Sequence, residues 1–338
     1  MTRSTQVLVI GAGLSGLTAA KILQREGFEV LVVEKSRGVG GRMATRRIGE
    51  AVFDHGAQFI TVRDSEFARA MAAWNGSGSA KEWFRSTGSG GGHTRYRGNP
   101  SMTAIAHELS RSLDVRLSTR VISLALAGAQ WTATMEAGET IATDAIILTA
   151  PVPQSLALLD AGQTANQAIL PGNIRHELES ISYEHCIAVM ALLEKTSALP
   201  EQGWAIPKNG PVAWMADNQA KGISPLPAVT IHAKAGFSEK HWETDRIQVG
   251  EQLILAAEQW LGCAVKEFQV HGWRYSKPVG VHEQRCVGTR PASGDDAAKA
   301  PPVVFAGDAF GGPRVEGAFL SGRAAARHIM KESLQDDT

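Results

Sequence analysis

A glycine turn between a strand and a helix constrains this chain more than any other feature. The run Gln6-Val7-Leu8-Val9-Ile10 is β-branched and apolar, and it ends at Gly11-Ala12-Gly13-Leu14-Ser15-Gly16. Residues 14–26 read as a helix, and a second apolar run follows over 29–34, closing on Glu34. Strand, turn, helix and strand within about 30 residues make a βαβ unit, the crossover that a parallel sheet requires. The glycines have separate roles. Gly11 makes the tight turn, Gly13 admits a pyrophosphate to the backbone, and Gly16 lets the helix pack closely. The free N–H groups and dipole at the helix start favour an anion. Glu34 is placed to accept hydrogen bonds from ribose hydroxyls and disfavours a 2′-phosphate. The segment predicts a dinucleotide cradle.

The next residues narrow the dinucleotide. Glu34-Lys35-Ser36-Arg37-Gly38-Val39-Gly40-Gly41-Arg42-Met43 carries a second glycine pair followed by a cation. That arrangement supplies further close backbone approach and a guanidinium for a diphosphate, which a plain NAD site does not need. Near the other end, the apolar run Val303-Val304-Phe305-Ala306 leads into Gly307-Asp308. The two signals together favour FAD.

Because the motifs sit at opposite ends of the chain, the nucleotide domain is expected to be discontinuous. The fold class read from the sequence is α/β with α+β: a Rossmann-like FAD-binding domain with an inserted mixed-sheet substrate domain. The expected boundaries are 1–74, 96–160 and 274–338 for the first domain, and 75–95 and 161–273 for the second. Asn75-Gly76-Ser77-Gly78-Ser79 and Gly88-Ser89-Gly90-Gly91-Gly92 read as flexible segments flanking Trp83-Phe84 in a loop or hairpin. Pro100 fits the first turn of a helix with Met102, Ile105, Ala106 and Leu109 on its apolar face. Strand-like runs lie at 115–124, 130–135, 140–149, 187–193, 211–216, 228–233 and 267–273. Helices are expected at 246–261 and from Gly317 to Glu332.

Lys plus Arg equals Asp plus Glu at 34 each, so no global field draws the chain to nucleic acid or an anionic membrane. The three cysteines, Cys186, Cys263 and Cys286, lie far apart without a CxxC pair, which fits a reducing compartment and neither a metal site nor a dithiol shuttle. No run approaches the ~18 apolar residues of a membrane span, so the expectation is a cytoplasmic protein, a monomer or weak homodimer. No second GxGxxG follows a strand, so reducing equivalents must arrive on a bound substrate.

These motifs, with Asp54-His55-Gly56-Ala57-Gln58-Phe59, resemble the flavin amine oxidase superfamily. Within it the chain is most similar to the renalases, through Arg95-Tyr96-Arg97-Gly98, Asp217-Asn218, Trp273-Arg274-Tyr275-Ser276 and Phe305-Ala306-Gly307-Asp308-Ala309-Phe310. The resemblance implies that Gly11, Gly13 and Gly16 meet the pyrophosphate and Glu34 the ribose. It also implies that Arg42 lies against the diphosphate, Val121 pairs its backbone with the adenine, and Asp308 holds the ribitol or pyrophosphate. Lys35, Gly41, Met43 and Gln58 complete the expected cofactor set. Gly317 and Ala318 are expected to open the last helix toward flavin N1, where an N-terminus stabilises negative charge. Covalently flavinylated relatives use a cysteine shortly before the last helix, whereas Cys286 lies more than twenty residues before Gly307, so FAD is expected to be non-covalent.

The implied reaction is oxidation of 2- or 6-dihydro-NAD(P) isomers, with dioxygen as final acceptor and hydrogen peroxide as product. His232, Trp273 and Tyr275 are the expected substrate residues. Arg274 and Arg63 are candidate phosphate contacts, and His55 is scaffold. Such chemistry needs orientation more than acid–base groups. A flavin amine oxidase or desaturase is the rival enzyme, in which Lys208, Lys221, Lys234 or Lys277 could serve. A flavin-binding scaffold without turnover is the rival of another class.

Overall fold

A computed structural model of the chain describes residues 2–85, 92–163, 169–291 and 300–336. The chain divides into two compact units, Met1–Gly41 with Ala106–Ser182 and Pro278–Thr338, and Arg42–Ile105 with Tyr183–Lys277.

The first unit is built on an eight-stranded sheet whose main path runs Val287–Thr289, Val303–Phe305, Thr140–Leu148, Thr2–Ile10, Val30–Val33, Asp114–Arg116. Thr2–Ile10 lies at its centre, parallel to Thr140–Leu148 on one side and Val30–Val33 on the other. Val7, Leu8 and Val9 are almost fully buried, as an unbroken apolar run in a parallel sheet covered on both faces should be. The helix Leu14–Arg25 turns Leu17, Ala20 and Leu23 into the same core as Ala325, Ala326 and Ile329 of the last helix, Arg314–Asp336. Val121–Ala127 and Gln130–Met135 form an antiparallel ribbon leading into Thr140–Leu148.

The second unit holds a five-stranded sheet in the order Trp204–Ala205, Val212–Asp217, Ala228–Ala233, Ser182–Leu193, Val265–Val279. Strand alternation sorts its side chains onto two faces. Ile187, Val189, Met215, Val229 and Ile231 pack on Val249, Leu253, Ala257 and Leu261 of the helix Arg246–Leu261. On the opposite face, Met190 and Ala228 meet Ile48, Ala51 and Phe53 of the hairpin Thr45–Ile48/Ala51–Asp54. Trp214 and His232 are direct ladder partners, so they share that second face.

The structure departs from the sequence reading at several places. Residues 42–74 group with the second unit, because Phe53 joins its core and the Asp54 backbone bonds Asn218 and Thr230. Residues 96–105 follow them through the Thr94–Gly98 strand, 274–277 also group with the second unit, and 161–182 group with the first. Asn75 and Gly76 are not flexible linker but the last turn of the helix Ser65–Gly76, which Asp64 caps by accepting from the Glu66 and Phe67 amides. Ala80–Arg85 and Thr94–Gly98 pair antiparallel around Trp83-Phe84, whereas Gly88 to Gly91 lie outside the described residues. The run 115–124 is two strands, Asp114–Arg116 and Val121–Ala127, separated by a bend. Pro100 lies before the helix Thr103–Ser110 and not in its first turn.

Candidate functional site

The first unit carries the cradle. Gly11 adopts φ +109°, which an L side chain rarely tolerates, so the strand can turn sharply into the helix. A Cβ on Gly16 would run into the carbonyl oxygen of Gly11, whereas one on Gly13 would meet nothing within 4 Å. Open space therefore lies over Gly13, which is also the N-cap of Leu14–Arg25 and gives the helix no side-chain cap. Its first amides are left for an external acceptor. Ser15 Oγ in that first turn is buried and has no partner among the described residues. An anionic ligand at this turn satisfies both deficits, so the residues fit a dinucleotide pyrophosphate. Glu34 is 9% exposed, its Oε2 accepting from Ala12 N at 2.9 Å and its Oε1 from Ser36 N at 2.8 Å. Those bonds fix the carboxylate at the strand end, and each oxygen keeps a lone pair for a ribose hydroxyl.

The other expected cofactor residues fall as follows. Lys35 is exposed, with Nζ 3.3 Å from Gln154 Oε1. Gly41 follows Gly40, which bridges to Gly13, and a Cβ on Gly41 would lie 3.4 Å from Gly13 Cα. Val121 is buried at the start of its strand. Gly307 N donates to Ser321 Oγ at 2.8 Å, and the half-turn it makes presents Asp308, 9% exposed. Gly317 and Ala318 do not open the last helix, which starts at Arg314 because Pro313 and the Gly311-Gly312 turn precede it. They are its fourth and fifth residues, and a Cβ on Gly317 would run into the Gly312 carbonyl.

Arg42, Met43 and Gln58 belong to the second unit. Arg42 Nη1 lies 3.4 Å from the carbonyl oxygens of both Tyr275 and Ser276. Met43 is buried. Gln58 Nε2 donates to Asp54 O at 2.6 Å and Gly56 O at 3.0 Å, and its Oε1 is buried without a partner among the described residues.

The expected substrate residues converge in part. His232 Nε2 and Trp273 Nε1 both reach the carbonyl oxygen of His55, each at 3.0 Å. His55 stacks on Trp273 with ring centroids 5.1 Å apart, and His271 stands edge-on to both. One carbonyl thus holds an indole and an imidazole in a fixed relation, and the His232 bond requires a proton on Nε2. Tyr275 is not part of this group; it packs on Tyr183 instead. Burial lowers all three imidazoles from 6.5, His55 to about 3 and His232 and His271 to about 4. They are neutral near pH 7. The charged side chains acting on them, Arg46, Arg246 and Lys221, are all cationic.

Sequence reasoning missed His271, although alternation along His271-Gly272-Trp273 puts it on the Trp273 face. It also left Lys221 open. Lys221 Nζ is buried and 2.8 Å from Asp54 Oδ2, while Asp54 Oδ1 accepts from Thr45 Oγ1 and the Met102 amide. Its own burial and its neighbour Arg97 lower its pKa, and Asp54 opposes them. Lys221 is a structural cation.

Residues 9–74 match the NAD(P)-binding Rossmann-like domain, and residues 77–330, well over half the chain, match the flavin containing amine oxidoreductase family. The chain belongs to the flavin containing amine oxidoreductases. Its cofactor is FAD. Among curated proteins, the Arabidopsis thaliana protein "Lysine-specific histone demethylase 1 homolog 3" is 54% identical over 57 residues, 17% of this chain and 4% of that protein. Protein anon-37Cs of Drosophila melanogaster is 33% identical over 81 residues, 24% of this chain and 16% of that protein. The matched stretches are thus a small part of those relatives' own lengths. Among solved structures, wild-type putrescine oxidase bound to putrescine superposes with a TM-score of 0.67 at 14% identity, over 98% of this chain and 100% of that one. A protein of Exiguobacterium sp. 255-15, provisionally assigned as a protoporphyrinogen oxidase, gives 0.72 at 12% identity over the same shares. At such identities the likeness shows the fold.

Proposed function

We propose that this flavin oxidoreductase oxidises 2- or 6-dihydro isomers of NAD(P) to NAD(P)⁺, passing the electrons to dioxygen with release of hydrogen peroxide. The observation that carries this reading is the character of the His55–His232–His271–Trp273 group. Its imidazoles are neutral, and the side chains whose charge lowers them are Arg46, Arg246 and Lys221, the last paired with Asp54 at 2.8 Å, so the excess charge comes from the two arginines. An ammonium substrate is disfavoured in such a field, whereas a dinucleotide bearing phosphates is favoured.

Bound FAD supplies a two-electron acceptor for the hydride of a dihydropyridine. The chain's own residues have a lighter part, because the donor gains aromaticity as it gives up hydride. Trp273, fixed by the His55 carbonyl and covered on one face by the His55 ring, offers its other face to a planar ring. His232 presents a neutral imidazole whose tautomer is set by that same carbonyl. Neither group has to transfer a proton. His55 acts as the scaffold for both donors, and Tyr275, packed on Tyr183, has no part in this group. FAD is held without a covalent bond in this reading, and burial pushes the Cys286 thiol up to about 11 and the Cys186 thiol up to about 12.

Peroxide formation by the aerobic enzyme tests this. The reading predicts peroxide from borohydride-reduced NAD mixtures and none from putrescine or other amines. Peroxide from amines alone would replace it with an amine oxidase.

A further inference from the structure

In the second unit, Arg246 and Arg274 share one indole and, among the described residues, have no acidic partner. Trp242 lies in the turn between the helices Ala235–Lys240 and Arg246–Leu261. Arg246 Cζ is 4.8 Å from the centre of its ring and Arg274 Cζ is 5.5 Å away. His185 stacks on the same indole at 4.2 Å, with its Nδ1 2.7 Å from Glu239 Oε2. Among the described residues neither arginine makes a hydrogen bond or an ion pair, and Arg246 Nη1 is buried with no acceptor. The neighbouring carboxylate, Asp245, is occupied in capping the helix through the Ile247 and Gln248 amides. A Cβ on Gly272 would lie 2.9 Å from Trp242 and 3.2 Å from Arg246 Nη2, so a larger residue there would crowd the pair.

A buried guanidinium donor without an acceptor is costly, and two guanidiniums stacked on one ring repel each other. Both costs vanish when an oxyanion joins them, because stacking holds the guanidinium edges free for forked bonds to phosphate. We propose that Arg246 and Arg274, stacked on Trp242, form a phosphate-binding subsite for the dinucleotide substrate. The location fits. Arg274 follows Trp273 on Val265–Val279, an edge strand of the five-stranded sheet, so a ligand on the His271–Trp273 face can pass around that edge. Arg246 is also close enough to His271 for its charge to lower that imidazole.

The subsite rests on the dinucleotide reading above, and the test separates the two. Inorganic pyrophosphate is titrated calorimetrically into the FAD-loaded enzyme and into Arg246→Gln and Arg274→Gln at low ionic strength. Arg274 is exposed, so its variant keeps the fold. Binding should weaken by about tenfold or more in each variant, the size expected for a lost charged hydrogen bond, with FAD content unchanged. Unchanged binding in both variants, or no binding to the parent, overturns the subsite. So does a loss of FAD, since the anion would then be the cofactor's own. If pyrophosphate binding depends on the arginines but no dihydronicotinamide isomer reduces the flavin, the subsite stands and the substrate reading falls. KM values then identify the phosphate. A rise for dihydro-NADP alone marks the 2′-phosphate, and a rise for both dihydro-NAD and dihydro-NADP marks the diphosphate.

Discussion

Lys221 and Asp54 show how much can rest on one pair of side chains. Both are fully buried, 2.8 Å apart, and Lys221 also lies over the Trp83 ring at 4.9 Å. Removing one partner strands the other charge without water. Lys221→Ala should lower the unfolding free energy in urea by about 3–5 kcal/mol, and a loss below about 1 kcal/mol would show the pair to be dispensable. The imidazoles set a pH dependence of their own. His55 is held near 3 and His232 and His271 near 4, against an ordinary 6.5. Between those values the unfolded chain binds more protons than the folded one, so stability rises with pH there. The contribution is complete above pH 6.5 and is lost as the pH falls toward 4. The surrounding groups, Arg46, Arg246 and Lys221, add to this by opposing protonation. The thermal midpoint should drop over this range, and His55→Gln should make the drop shallower. An equal slope in the variant would place the acid lability elsewhere.

At the scale of elements, the cradle depends on glycines that let backbone meet backbone. A methyl on Gly16 runs into Gly11 O, and one on Gly317 runs into Gly312 O. Gly317→Ala must therefore shift the Gly311-Gly312 turn against the last helix. The expected result is purification with substantially less bound FAD, read as the flavin-to-protein absorbance ratio, with far-UV dichroism unchanged. Full FAD occupancy would mean that the turn moves freely. The βαβ cradle is legible in the sequence because its parts are local and each residue type has one physical reason to be there. The helix over 246–261 is legible for the same reason, with Asp245 before it and Gly262 after it. The start of the last helix is not, because Gly317-Ala318 looks like an opening, whereas the preceding Gly311-Gly312-Pro313 supplies the stop. Asn75-Gly76 misleads because its composition resembles a linker, and the Asp64 cap outweighs it.

For the whole molecule, the sequence shows two units with the cofactor unit interrupted, but it misplaces residues 42–74. Strand composition cannot reveal that Phe53 completes a core with Met190 and Ala228, because that contact joins distant parts of the chain. The same limit hides the convergence of His232 and Trp273 on the His55 carbonyl, which joins three separate segments. It also hides the sign of the charge that Arg46 and Arg246 bring to the imidazoles, which is a property of the folded unit and not of any segment. The proposed preference for a dinucleotide over an amine rests on that sign more than on any single residue.

The central claim is the identity of the hydride donor, and an anaerobic titration addresses it most directly. The purified yellow enzyme is mixed with resolved 2-, 4- and 6-dihydro-NAD, and the flavin absorbance is followed. The account predicts rapid, stoichiometric bleaching by the 2- or 6-isomer and little by the 4-isomer. Bleaching by none of the three, with bleaching by an amine, would contradict it.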